Sequence, residues 1–189
     1  MASNEDFMRA GATGVGWTGA VGVTFPTGFA TPATGWTDVG YISDDGLTQG
    51  MSEERKSWTP WGRTAPVKTQ LTKAEKTFKI VMWETNVTTL GLYYKQPASA
   101  LIPDVTTDII NFTDANGLDQ DQRAFLFDVA DGANNLIRHA IPLGEVTGRG
   151  DIVNKTDEII AYEITITAYP GSDGVSVHSY FKLAGIEGA

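Results

Sequence analysis

Apolar and polar residues alternate with a period of two in five separate stretches of this 189-residue chain. In 76–84, Phe78, Ile80 and Met82 share one face, and Lys79, Val81 and Trp83 share the other. In 123–129, Phe125, Phe127 and Val129 oppose Leu126 and Asp128; in 135–141, Ile137, His139 and Ile141 oppose Leu136, Arg138 and Ala140. In 158–168, Ile160, Tyr162, Ile164, Ile166 and Ala168 align in front of Glu163, Thr165 and Thr167. In 175–183, Val175, Val177, Phe181 and Leu183 oppose His178, Tyr180 and Lys182. Side chains along a strand point alternately to opposite faces, so this pattern predicts antiparallel strands with one wet face. DANG (114–117), ADGANN (130–135) and PGSDG (170–174) supply turns between them.

One short helix is predicted at 87–95. Asn86 can cap its N-terminus, Val87, Leu90 and Tyr94 recur at helical spacing, and Pro97 ends it. The expected fold class is therefore mainly β: an antiparallel β-sandwich or barrel with one short flanking α-helix. Twenty-three threonines and 21 glycines agree with strands and turns.

Two segments stand apart from that body. Residues 1–35 are rich in Gly, Thr, Ala and Pro and read as an extended arm with one strand near 20–25 and breakers at Pro26 and Pro32. Phe25 and Phe29 in that arm need a surface, its own or a neighbour's. GWTDVGYISDDGLTQG (35–50) reads as strand, turn, strand. Residues 50–73 are polar on both faces and carry Trp58 and Trp61 around Pro60, as a hairpin or loop outside the core would. The expected organisation is an arm, 1–35, and one domain, 36–189, with a protruding segment at about 50–73.

Charge narrows the function. The chain holds 14 basic and 23 acidic residues, a formal charge of −9, which suits a protein that does not grip phosphate backbones. The charge is uneven: residues 61–95 carry 6 basic and 2 acidic groups, while the flanking parts are acidic. A basic segment in an acidic chain suits head-to-tail contact between copies; a solvated hairpin gives the same count. Cysteine is absent, so disulfides and thiolate metal sites are excluded. No apolar run approaches a membrane span, and MASNEDFMRAGATG lacks the apolar region of a signal peptide, so synthesis in a cytoplasm is expected.

No catalytic constellation emerges. There is no G-x-S-x-G elbow, and His139 and His178 sit in predicted strands without an obvious Ser or Asp partner. GATGVG (11–16) has phosphate-loop glycines but no following Lys and no helix to open, so it reads as flexible chain. Asp114, Asn116, Asp119 and Asp121 do not fit a calcium loop and read as a solvated turn. The acid pairs Asp44–Asp45, Glu53–Glu54 and Asp157–Glu158 sit in turns or strand starts with nothing to set them across a cleft. No cofactor or metal is expected. Trp58 and Trp61 are the best candidates for an exposed binding pair, against a local cluster that pins the loop; Trp36 and Trp83 are expected to pack on the core or helix.

Four stretches then carry a family likeness: GWTDVGYISDDGLT (35–48), WTPWGRTAPVKT (58–69), TFKIVMWETNVTTLGLYY (77–94), and RAFLFDVADG with IRHAIPLGEVTGRGD (123–151) ahead of AYPGSDGVSVHSYF. In this order and spacing the chain resembles the major tail proteins, or tail tube proteins, of long non-contractile-tailed bacteriophages, particularly those of actinobacteria. The resemblance implies a non-enzymatic virion protein, made in the bacterial host and assembled as hexameric rings stacked into a tube. It implies tape measure, tail terminator and baseplate or distal tail proteins as partners, with genomic DNA passing through the lumen without specific binding and no membrane role. Arg55, Lys56, Trp58, Trp61, Arg63, Lys68, Lys73, Phe25 and Phe29 become the candidate contacts between subunits or rings. The alternatives are an inner-tube protein of a contractile tail or injection system, and a carbohydrate-binding β-sandwich using Trp58 and Trp61.

Overall fold

The computed structural model describes residues 8–113 and 120–184. The turn at 114–117, with Asp114 and Asn116, and the following Asp119 lie outside the described residues. Eight strands are formed: β1 (Thr13–Ala20), β2 (Trp36–Asp38), β3 (Thr48–Trp58), β4 (Lys68–Met82), β5 (Gln122–Asp131), β6 (Asn135–Arg149), β7 (Tyr162–Tyr169) and β8 (His178–Lys182). One helix, α1 (Val87–Tyr93), and a 3-10 turn at Ala98–Ala100 complete the elements. The mainly β, antiparallel class with one short helix is the one the periodicity predicts.

The strands form one antiparallel sheet in the order β2-β1-β5-β6-β7-β4-β3, and β8 pairs with β6. The sheet curls back on itself. After β2 leaves β1, with Val39 N–H donating to Gly16 O, the chain reaches across to β4. There Ile42 bridges Met82, Ser43 N–H donates to Val81 O, and Trp83 N–H donates to Tyr41 O. Residues 36–43 thus join the two ends of the sheet. Register shifts at Arg123/Phe125 and Val146/Gly148 supply the local bends such curvature needs. On one edge β6 meets β8 along Leu136–Ala140 and β7 along Leu143–Arg149. Pro142, which has no N–H to give a ladder, lies between the two pairings.

The enclosed core holds Phe78, Ile80 and Met82 of β4, Phe125 and Phe127 of β5, Ile141 of β6, and Tyr162, Ile164, Ile166 and Ala168 of β7. The predicted faces of β4, β5 and β7 therefore point where alternation places them, except that Ile160, expected in line with Tyr162, lies ahead of β7 and is exposed. Leu92 of α1 closes one side of the core. The helix is capped as predicted, with Asn86 Oδ1 accepting from Thr89 N–H at 2.8 Å. Its buried residues are Thr89, Gly91 and Leu92, while Val87 is exposed. Tyr94 is the C-cap, outside the seven-residue helix, so the 87–90–94 spacing does not define its inner face.

Three further expectations change. The strand expected near 20–25 is β1, at Thr13–Ala20, and residues 11–16 are not flexible chain. A Cβ on Gly16 would stand 2.9 Å from the Phe127 ring, and one on Gly19 would stand 2.9 Å from Gly35 O. These glycines are strand positions crossed by close neighbours, a use that propensity conceals. The outer face of β5 and β6 is not wet: Leu126, Ala140 and Arg138 are all buried. Arg138, 2% exposed, donates to both carboxylate oxygens of Asp128 at 2.6 Å and through Nη1 to Gly28 O and Ala30 O. Segment 28–30 is thereby fastened over that face. On β8 the predicted apolar face is broken: Val177 is buried, whereas Phe181 is 59% exposed.

Candidate functional site

Residues 48–82 build the feature that the barrel does not explain. β3 pairs with β4 from Thr48–Lys79 out to Trp58–Lys68. β7 covers β4 only from Lys76 to Met82. Beyond Lys76 the two strands pair, among the described residues, only with each other, and both faces are exposed. At the strand rise per residue this arm extends roughly 25 Å past the barrel. β3 and β4 thus form a hairpin whose outer part runs past the last β7 pairing at Lys76. A bulge between Glu54 and Arg55 divides it, and Thr72 Oγ1 donates to Glu54 O there.

The tip is ordered by turn chemistry. Val67 N–H donates to Trp58 O, and Arg63 N–H donates to Pro60 O at 3.2 Å. Gly62, at φ +80, takes the position that a type II turn reserves for glycine, and Pro60 and Trp61 lead into it. Trp61 is 104% exposed. Trp58 sits further back, with Lys56 Nζ and Lys68 Nζ at 5.5 and 5.7 Å from its ring centroid. The two tryptophans do not form the pinning cluster that was the alternative. From Arg55 to Leu71 the arm carries Arg55, Lys56, Arg63 and Lys68 and no acid. Nearer the barrel, Arg55 pairs with Glu53 and Lys73 with Glu75. The hydrogen bond between Lys73 and Glu75 lowers the glutamate's pKa and raises the lysine's.

Phe25 and Phe29 are placed differently. Phe25 packs edge-on against Trp36 at 4.9 Å, and Arg138 lies over the Phe29 ring at 5.5 Å. Both are half-buried on their own barrel. Trp36 is also half-buried, with its indole N–H donating to Thr24 O, but Trp83 is exposed.

A second feature lies at the base of the arm. β1 pairs with β2 only over Trp17–Gly19, so among the described residues its Thr13–Val15 edge has no strand beside it there. Two adjoining hollows of about 480 and 520 Å³ open along this gap and share Gly14, Val15 and Ile42. Asp44, Asp45 and Asp128 line the first; Asp38 and Glu84 line the second. No described Lys or Arg lines either. Tyr41 N–H and Asn86 Nδ2 donate to the two oxygens of Glu84, and Asp128 is held by Arg138. Ser43, 6% exposed, lines the first hollow with a hydroxyl that has no hydrogen-bond partner among the described residues. Sequence reasoning noted Asp44–Asp45 but missed the cleft, which forms where residues 36–43 cross from β1 to β4.

Both histidines do have polar partners. His139 Nδ1 lies 2.9 Å from Ser179 Oγ on the paired strand, and His178 Nε2 lies 2.9 Å from Asp173 Oδ2. Strand registry and a tight turn supply these contacts, which linear reading does not show. Burial pushes the pKa of His139 down. No three Asp, Glu or His side chains converge as a metal site among the described residues, and no described helix is long and apolar enough to cross a membrane.

An acidic barrel that extends a basic, Trp-tipped arm into solvent has the anatomy of an assembly subunit. A hairpin without a covered face is marginal by itself, and an open strand edge invites another chain. The chain belongs to the phage tail tube protein family, whose family model matches residues 1–182, and it is accordingly a structural tube protein and a virion component. No curated protein matches it. Among solved structures it is similar to a chain of the anti-feeding prophage baseplate, at 7% identity and TM-score 0.44, covering 95% of this chain and 97% of that one. It is also similar to a chain of the PVC sheath-tube complex of an extracellular contractile injection system, at 9% identity and TM-score 0.40, covering 96% and 99%.

Proposed function

We propose that this protein self-assembles into hexameric rings that stack as the tail tube of a long non-contractile phage tail. The observation that carries this reading is the arm beyond Lys76, which no described residue of its own chain outside the hairpin covers. A head-to-tail contact closes into a ring when its rotation closes, and a second such contact stacks rings into a filament. The free edges of β3 and β8 suit strand addition between neighbours. Arg55, Lys56, Trp58, Trp61, Arg63, Lys68 and Lys73 are the proposed contacts; Phe25 and Phe29 act behind them by holding segment 24–30 to the barrel. The tube would meet tape measure, tail terminator and baseplate or distal tail proteins at its ends and lumen. A charge of −9 per subunit favours DNA passing through the lumen without being held. The role is structural and not enzymatic, and synthesis takes place in the bacterial host cytoplasm.

Negative-stain microscopy and sedimentation velocity of the purified protein at graded concentration test this reading. Rings or tubes are expected. A chain that remains monomeric at millimolar concentration, alone and with a preformed tail tip as initiator, overturns it.

A further inference from the structure

The arm's tip and the cleft at its base are complementary, and one molecule cannot bring them together. We propose that the Trp61–Arg63 tip of one copy seats in the cleft between β1 and residues 42–47 of another. This inference rests on the tube reading and names the contact on which stacking depends.

Reach comes first. β3 and β4 stay paired from Thr48–Lys79 to Trp58–Lys68, so the tip stands roughly 25 Å from the barrel that bears its own cleft. The contact is therefore between molecules and heterologous, which is the type that builds rings and filaments. Charge comes second. The distal arm from Arg55 to Leu71 is cationic without an acid, and the cleft is acidic without a described Lys or Arg.

Groups without an ion pair occur on both sides. Among the described residues Arg63 makes no ion pair, and neither do Asp44 and Asp45. The guanidinium offers five donors in a planar fork, which suits two adjacent carboxylates together. Val15, Ile42 and Leu47 give the same cleft an apolar lining for the Trp61 ring, which no described residue of its own chain covers. The type II turn at Gly62 holds Trp61 and Arg63 in a fixed relation before contact, which lowers the ordering cost of docking.

A charge swap with a chemical cross-link tests the pairing. Arg63→Glu, or Asp44→Lys with Asp45→Lys, is expected to lower the assembled fraction at least tenfold, with circular dichroism and Tm unchanged. The three substitutions combined in one chain are expected to restore assembly. In parallel, Arg63→Lys retains the charge and permits carbodiimide coupling. Mixed labelled and unlabelled chains should then yield an intermolecular peptide joining position 63 to Asp44 or Asp45. If wild-type tubes form but the swap fails to rescue, or coupling falls on other carboxylates, the tip–cleft contact is wrong and the tube reading stands. If the wild-type chain never assembles, even with an initiator, the tube reading fails and this contact falls with it.

Discussion

Replacing residues 53–74 with an Asn-Gly turn removes the arm and keeps the ladder from Thr48–Lys79 to Ser52–Glu75. Every residue of the core cluster lies outside the deleted segment, so the loss of buried apolar area is close to zero. Shortening a connection of about twenty residues to two removes roughly 2 kcal/mol of loop-closure entropy. The arm's own pairing is a lone two-stranded ribbon, of marginal stability. The barrel is therefore expected to be unchanged or stabilised by up to about 2 kcal/mol, which is a Tm rise of no more than about 8 °C for a chain of this size. Phe78→Ala, in the core, is the contrast and should cost about 3–5 kcal/mol. Calorimetry reads the first quantity, and sedimentation velocity, under conditions where the wild type assembles, reads the second. The shortened chain should sediment as a monomer. A Tm fall of more than about 5 °C would mean that the arm braces the barrel. Tubes formed by the shortened chain would mean that the arm is not the interface.

Arg138→Met leaves Asp128 without its bidentate partner and frees segment 28–30; urea unfolding should show a loss of about 3–5 kcal/mol, and a loss below about 1 kcal/mol would refute the role given to this pair. His139 has a folded-state pKa below its ordinary value of 6.5 because it is buried, so as pH falls the unfolded chain takes up the proton first. Its contribution to stability is therefore intact above about pH 6.5 and is lost as pH falls from there toward the folded pKa. Asp128 opposes this shift and Lys76 reinforces it, and His139→Gln should flatten the slope of urea midpoint against pH in that window. Assembly followed by light scattering should pass through a maximum with salt. Repulsion between acidic bodies dominates at about 0.01 M, where the Debye length is roughly 30 Å, and contact pairs weaken near 1 M, where it is about 3 Å. A monotonic rise would mean that apolar contact alone drives assembly.

The strand faces were legible because one periodicity governed them. Phe78, Ile80 and Met82, or Tyr162, Ile164 and Ile166, each place the same face inward whatever their neighbours do. The arm was legible for the opposite reason: residues 50–73 lack an apolar face, and the structure gives them none to bury against. β1 was misplaced because its glycines carry no periodic signal. Their reason is the Phe127 ring and Gly35 O, more than a hundred residues and sixteen residues away in sequence from Gly16 and Gly19. Arg138 looked like a wet-face residue because alternation alone cannot show that segment 28–30 returns over it. The cleft escaped for a related reason. Asp44 and Asp45 form a turn in the sequence, but Gly14 and Val15 reach them only once residues 36–43 have crossed to β4.

The uneven charge has a consequence for which assembly forms. Two copies that meet body to body bring like charge together, since the chain as a whole carries −9. Two that meet arm to arm bring the cationic stretch from Arg55 to Leu71 against itself. Both two-fold arrangements are therefore penalised, because like charges in juxtaposition suppress the wrong partner geometry. An arm on another copy's body is the attractive contact, and where the two copies do not exchange arms it is head-to-tail. An isologous dimer would consume its surfaces and stop, whereas the proposed tip–cleft contact, made head-to-tail, would leave one free arm and one free cleft at every stage. Under the tube reading, this separation of charge favours arm-to-body contact over the two like-charged pairings.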